Sequence, residues 1–411
     1  MKKTLLLSVV ASTMIMAGGD IAPVEPVAEA PAVVESGWDF SGQAVVYYQT
    51  GDVKEDLFSQ ESAKADFGLQ LRAVNKDVFG GVGFGGEVSG LSTLNLEDWL
   101  VDNVMQGVGN GDLDDMTDGG WISQLYMTYT AGNTTFKLGR QELPKALSPF
   151  AFSEGWNVFK NTFDAALIVN TDISNTTLVG AWVYGGNRNG IGAGANMSDF
   201  NEFNDDNGIF MLTAQNKSFD GVTLTGTWYY AAELAADEDA NILWGDAQFA
   251  LGGVNLGLQA GTWMCDAFAD DSVAFGAKAG YDFGTFNASL AYSTVDDGGI
   301  PGISMRNVGG PKTPLYTQMI LNQNFISYDS DTFVARAGMK ALGGKFGLAY
   351  DYSDVVEGEY TELDFVYKTK VWNDSTTLFA GYIYQDLNAD NDYIDADFDQ
   401  NVIRFWARYN F

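Results

Sequence analysis

The feature that most constrains this chain is a hydropathy alternation of period two that recurs along nearly its whole length. Segments of about ten residues in which apolar and polar side chains alternate, each bounded by turn formers, occupy 38–50, 64–76, 80–93, 119–132, 133–142, 162–171, 175–187, 207–217, 221–234, 240–251, 253–265, 271–283, 284–296, 331–342, 344–354, 358–372, 374–386 and 400–411. Period two is the side-chain period of a β-strand, and many such segments in series are the pattern of strands that cross a membrane as a barrel. The spacing predicts an all-β fold, a transmembrane antiparallel β-barrel of eighteen strands spanning 37–411.

The connections sort themselves by length. After even-numbered segments the chain turns on Asn75-Lys76-Asp77, Gly132-Asn133, Asp172-Ile173-Ser174, Gly252-Gly253, Phe283-Gly284, Gly343-Gly344 and Asn373-Asp374. After odd-numbered segments come longer stretches at 51–63, 93–118, 142–161, 187–206, 295–330 and 386–399, with three shorter ones after segments nine, eleven and fifteen. A soluble all-β array has no reason to sort its loops, whereas an outer-membrane barrel has short turns on its periplasmic side and long loops outside.

The alternation also assigns faces. Phe67, Leu69, Leu71 and Ala73 alternate with Asp66, Gly68, Gln70 and Arg72; Val273, Phe275, Ala277, Ala279, Tyr281 and Phe283 with a set holding Lys278 and Asp282; Leu363, Phe365 and Tyr367 with Glu362, Asp364, Lys368 and Lys370. Apolar outward faces require a lipid exterior, and the inward faces are then wet. The inward basic positions are Arg72, Lys137, Lys278, Arg336, Lys340, Lys368, Lys370, Arg404 and Arg408; the acidic ones are Asp66, Glu87, Asp246, Asp282, Asp351, Glu362 and Asp364. Charged rings of this kind sort solutes in pores. The aromatics Trp228-Tyr229-Tyr230, Tyr350, Tyr352, Tyr382 and Tyr384 suit interfacial girdles. Arg140 breaks its strand's alternation, in phase with outward Phe136 and Leu138, which places it at headgroup level or at a subunit contact.

Several function classes drop out. No apolar run after the leader approaches the ~20 residues of a membrane helix. His is absent, which removes His-based nucleophilic sites, His-ligated zinc and the usual general base, so no enzyme is expected. A single Cys265 rules out an intramolecular disulfide. A net charge of −32 disfavours nucleic acid as a partner. Acidic residues crowd the loops, notably Asp112, Asp114, Asp115 and Asp118, and 386–399.

At the amino end, residues 1–19 pair Lys2 and Lys3 with an apolar run and small residues, a secretory signal peptide; 20–36 is Pro-, Ala-, Val- and Glu-rich without periodicity and reads as a flexible periplasmic arm. At the other end, NVIRFWARYNF places Ile403, Phe405, Ala407, Tyr409 and Phe411 on one face and Arg404, Trp406, Arg408 and Asn410 on the other. This resembles the closing strand of bacterial outer-membrane barrels, which implies that Phe411 with Tyr409 is an assembly signal. The stretches FKLGRQELP at 136–144 and NTFDAALIVN at 161–170 resemble the porins of the epsilonproteobacterial Opr or major-outer-membrane-protein type, related to OprD-like porins. The resemblance implies a trimer of eighteen-stranded barrels in the bacterial outer membrane, surrounded by lipid and lipopolysaccharide. It also implies a third loop folded inward as a constriction over Pro144 to Lys160, with Lys145, Glu154 and Lys160 as its charges.

Asp386, Asn388, Asp390 and Asp392 space oxygen ligands as the start of a calcium loop does, but the sixth-position Gly is missing and Asp397 replaces the bidentate Glu; a solvated acidic loop is the simpler reading, with no cofactor required. GVGFGG at 81–86 lies in strand register and is not a phosphate loop. The expectation is an outer-membrane porin passing ions and small hydrophilic solutes by passive diffusion. The net acidity of the mouth and loops predicts a preference for cations, although the basic wall argues the other way. The alternatives are a substrate-specific channel, with amino acids or small carboxylates guided along Arg72, Arg336, Arg404 and Arg408, or a barrel adhesin.

Overall fold

A computed structural model describes residues 37–109, 117–389 and 397–411. The signal peptide, the arm, Asp112, Asp114, Asp115, Asp390 and Asp392 lie outside the described residues. Among the described residues nineteen strands form one sheet, and one of them, Asn201–Glu202, is a two-residue spur. The other eighteen go round a closed antiparallel cylinder: β1 Asp39–Gly51, β2 Ala63–Phe79, β3 Val82–Ser92, β4 Asp118–Ala131, β5 Thr134–Gln141, β6 Phe163–Asn170, β7 Thr176–Gly186, β8 Ile209–Asn216, β9 Val222–Ala235, β10 Glu238–Leu251, β11 Val254–Cys265, β12 Ser272–Asp282, β13 Phe286–Val295, β14 Ser330–Ala341, β15 Gly344–Val355, β16 Gly358–Val371, β17 Thr376–Ala389 and β18 Phe398–Asn410.

Closure is made between β1 and β18, in register from Gln43↔Asn410 to Gly51↔Val402. It satisfies the backbone groups that an open edge would leave to hydrocarbon. Every segment expected from the alternation is a strand, within a few residues at its ends. The outward sets are exposed and apolar, including Leu69, Leu71, Phe275, Leu290, Phe333, Leu348, Phe365 and Phe405, so the cylinder carries the lipid-facing belt of an outer-membrane barrel. No helix among the described residues is long and apolar enough to cross a membrane.

Two local readings change. The turn expected at Asn75-Lys76-Asp77 is a bulged continuation of β2, and the chain reverses at Gly80-Gly81, both with positive φ (56° and 88°). Asn75 and Asp77 read as turn residues because their carboxyl and amide oxygens do cap local N–H groups, those of Asp77 at 3.0 Å and Gly81 at 2.9 Å, but they support the bulge. Tyr229 is not a girdle residue: Trp228 and Tyr230 flank it on the outer face, while its own side chain is buried inside.

Candidate constriction and inner wall

Loop three, residues 142–162, leaves β5 and runs across the cylinder. Its Phe150 ring meets Trp244 and Trp263 edge-on, each at 5.2 Å, and Tyr229 at 6.0 Å, so β9, β10 and β11 form an aromatic socket. The Tyr229 hydroxyl accepts the Phe150 N–H at 3.1 Å. The returning limb lies on the opposite wall. Tyr47 donates to the Trp156 carbonyl at 3.1 Å, and Arg408 donates to the carbonyls of Asn157 and Val158 at 3.0 and 3.2 Å. Gly68 of β2 makes that approach possible, since a Cβ there would meet the Phe159 ring at 2.6 Å and Val158 at 2.9 Å. From loop two, Gln106 donates to the Phe159 carbonyl at 2.9 Å and accepts the Phe159 N–H at 2.8 Å, while the Asp66 carboxylate accepts the Gln106 N–H at 2.8 Å.

Loop seven, residues 296–329, is a second inward fold that the alternation gives no sign of. It is joined to loop three through Glu154. That buried carboxylate accepts the Trp156 indole N–H at 2.6 Å, the Asn307 amide at 2.8 Å and the Lys312 backbone N–H at 2.9 Å. Asn307 also pairs both ways with the Phe152 backbone at 2.8 Å, and Lys145 donates to the Thr313 carbonyl at 2.8 Å. Lys312 is buried with its ammonium on the carbonyls of Met319 and Ile320 and the amide oxygen of Gln323. Burial pushes this ammonium down to about 8, against the opposing pull of Glu154. Burial pushes the Glu154 carboxyl up.

The far side of loop seven is fastened to the wall. Tyr316 donates to Asp246 and lies 4.1 Å under the Lys278 ammonium. Arg336 donates to the Gln318 carbonyl at 3.0 Å, Glu362 accepts the Leu321 N–H at 2.9 Å, and Asn322 donates to Asp351.

These contacts divide the inward charges. Asp351, Glu362, Asp364 and Arg336 lie buried beneath loop seven, Arg404 is buried on β18 beside Gln49, and Glu87 is buried with Ser123 donating to it at 2.7 Å. All six are on the inner face as the alternation requires, yet they do not line open space, because loop packing removes them from water. Half-buried at the inner face are Arg72, Lys137, Lys278, Lys368, Arg408 and Asp246; Lys340 and Lys370 are exposed near the short turns. Lys345, not singled out by the sequence reading, pairs in register with both Lys340 and Lys368. In loop three, Lys160 is ion-paired to Glu142 at 2.7 Å, and Glu154 holds loop seven instead of offering its charge to the passage.

Outside the wall, Arg140 forms a two-pronged pair with Asp164 of β6, both contacts at 2.9 Å, beneath the Phe200 ring, so its broken alternation is explained by a neighbour within the same barrel. Tyr409 and Phe411 stack at 5.6 Å on the outer face, and Phe411 exchanges backbone hydrogen bonds with Gly42. Asp386 and Asn388 lie at the end of β17 and bond each other at 2.8 Å; no cluster of three or more acidic or Cys side chains suited to a metal occurs among the described residues.

The inward course of loop seven has one compositional trace. From 298 to 328 the chain holds no Asp or Glu, although the protein has 54 of them and the long loops at 51–63, 93–118, 187–206 and 386–399 hold four or more each. A loop destined for a packed interior cannot carry unpaired carboxylates.

No protein-family model and no curated protein matches the chain. Solved structures do. OccK8 (OprE) of Pseudomonas aeruginosa aligns with TM-score 0.69 at 15% identity over 91% of this chain and 98% of its own. OccAB2 of Acinetobacter baumannii aligns with TM-score 0.69 at 14% identity over 91% and 98%. OccK2 (OpdF) of Pseudomonas aeruginosa, solved in complex with glucuronate, aligns with TM-score 0.66 at 16% identity over 91% and 96%. At these identities the likeness is one of fold.

Proposed function

We propose that the protein is a substrate-selective outer-membrane channel for small hydrophilic anions, carboxylates foremost, with its constriction built jointly by loops three and seven. The observation that carries this reading is the sorting of inward charge by accessibility. The groups left in contact with water are mostly basic, Arg72, Lys137, Lys278, Lys345, Lys368 and Arg408, while most wall carboxylates are covered. A solute at the narrow passage feels the near wall and not the formal charge of distant loops, because exposed charges are screened beyond about 8–10 Å. The preference for cations suggested by net charge therefore gives way to a preference for anions. The fold it shares with a channel solved with glucuronate supports the same class of solute. The third loop's sequence supports kinship with epsilonproteobacterial Opr-type porins, and a trimer embedded in lipid and lipopolysaccharide belongs to the proposal.

The test is a reversal potential across a KCl gradient in a planar bilayer. Chloride should be preferred; Arg72→Glu should shift the potential strongly toward potassium, and Arg404→Ala, at a buried position, should shift it less. A cation-selective wild-type channel would refute the reading.

A further inference from the structure

We infer that the acidic segment 20–36 docks on the lysine-lined rim of its own pore and partly covers the exit on the short-turn side. The premise is the leader reading of 1–19, which leaves 20–36 at the amino end of the mature chain.

The rim is basic in one quadrant. Lys340 at the end of β14, Lys345 at the start of β15 and Lys368 near the end of β16 stand opposite one another in register, and Lys370 follows on the same inner face of β16. Like charges set opposite each other across a ladder are destabilising, so the barrel itself gains nothing from this row. Leu342 and Trp372, at the tips of two short turns on this rim, are 85% and 75% exposed. The segment 20–36 has the complementary chemistry, with carboxylates at Asp20, Glu25, Glu29 and Glu35, valines between them and no Lys or Arg. Lipid headgroups do not compete for the row, because its lysines are on the inner face of the cylinder.

The segment also reaches it. β1 begins at Asp39 on the short-turn side, since the connection from β1 to β2 is one of the long ones. From β1 the row on β16 is three steps round the wall, through β18 and β17, about 15 Å at ~4.8 Å per strand. A Pro-rich stretch covers about 3.1 Å per residue, so the segment can extend about 50 Å and its glutamates come within range of the row. An exposed ion pair contributes only roughly 1.4- to 5-fold in affinity, but a tether supplies an effective concentration of about millimolar. Pairs too weak to hold a free peptide therefore suffice here. On the anion reading above, a solute leaving the pore meets carboxylates already seated on the last lysines, and its exit depends on ionic strength.

The test uses the mature protein in detergent. A water-soluble carbodiimide, which joins carboxylates to amines in contact, should link Glu25, Glu29 or Glu35 to Lys340, Lys345, Lys368 or Lys370, as read by mass spectrometry of the digest. About 1 M KCl should suppress these links, since the screening length there is about 3 Å. With Glu25→Gln, Glu29→Gln and Glu35→Gln combined, changes that leave the barrel untouched, acetylation of Lys340 and Lys370 should run roughly 3-fold faster or more, while Lys217 on β8's turn keeps its rate. Links only to Lys76 beside β1, or unchanged acetylation in the triple variant, overturn the inference; so does a mature chain whose first residue lies beyond Glu35. Neither readout depends on ion selectivity, so a cation-selective channel would refute the function proposed above and leave this inference standing.

Discussion

The junction between loops three and seven turns on one side chain, and replacing Glu154 with Ala should open it. The substitution removes the acceptor from three donors: the half-buried Trp156 indole, and the buried Asn307 amide and Lys312 backbone N–H. Asn307 keeps the Phe152 carbonyl, so two donors lose their protein partner. A buried donor left without a partner costs about 1–3 kcal/mol, which puts the loss at up to roughly 2–6 kcal/mol, less what water recovers at the half-buried indole and in the new space. Even about 3 kcal/mol raises the population of undocked loop seven by roughly a hundredfold. The cylinder is unaffected because its ladder closes through the backbone, and the wall contacts of Tyr316 and Leu321 persist. Single-channel records at fixed KCl should therefore show frequent excursions to higher conductance, and trypsin should cut faster at Arg306 or Lys312. Glu154→Gln, which retains one acceptor oxygen, should lie between the two. If conductance histograms and tryptic half-lives of Glu154→Ala match the wild type, loop seven does not depend on this joint and the reasoning is wrong.

Three further outcomes follow from the same contacts. Lys312 has its ammonium lowered to about 8 in the docked state, so docked protein holds that proton less tightly than undocked; docking strengthens as pH rises from about 8 toward the ordinary lysine value, excursions should become rarer over that window, and Lys312→Met should abolish the dependence. Gly68→Val places carbon where Phe159 and Val158 pack, and should displace the returning limb of loop three at a cost of about 1–3 kcal/mol, read as altered conductance in a barrel of normal heat-modifiability. Deleting Phe411 removes its backbone pairing with Gly42 and its stack on Tyr409, and should lower the yield of folded barrel in membranes, measured against unfolded chain on the same gel.

How much of this was readable in advance depends on which solvent each residue meets. On β12 or β16 lipid lies on one side and the lumen on the other, and that contrast writes itself into every second residue; Val273, Phe275 and Lys278 declare both strand and face. Asp351, Glu362 and Asp364 obey the same alternation, which is why their inward orientation was legible and their burial was not. The period reports which way a side chain points, and it carries no information about a loop that later covers it. Loop seven has no period because no element within it has two faces; its fold is written in single partners such as Asn307 with Phe152 and Lys312 with the carbonyls of 319 and 320. Those pairs join residues up to 155 positions apart, beyond any local pattern. Composition retained one trace, since desolvation excludes carboxylates from a segment that must pack, and 298–328 has none. The same principle identifies Glu154 as the exception to watch in loop three. At zero exposure the Glu154 carboxylate is held by three donors, the Trp156 indole from its own loop and the Asn307 amide and Lys312 N–H from the loop that the pattern could not see.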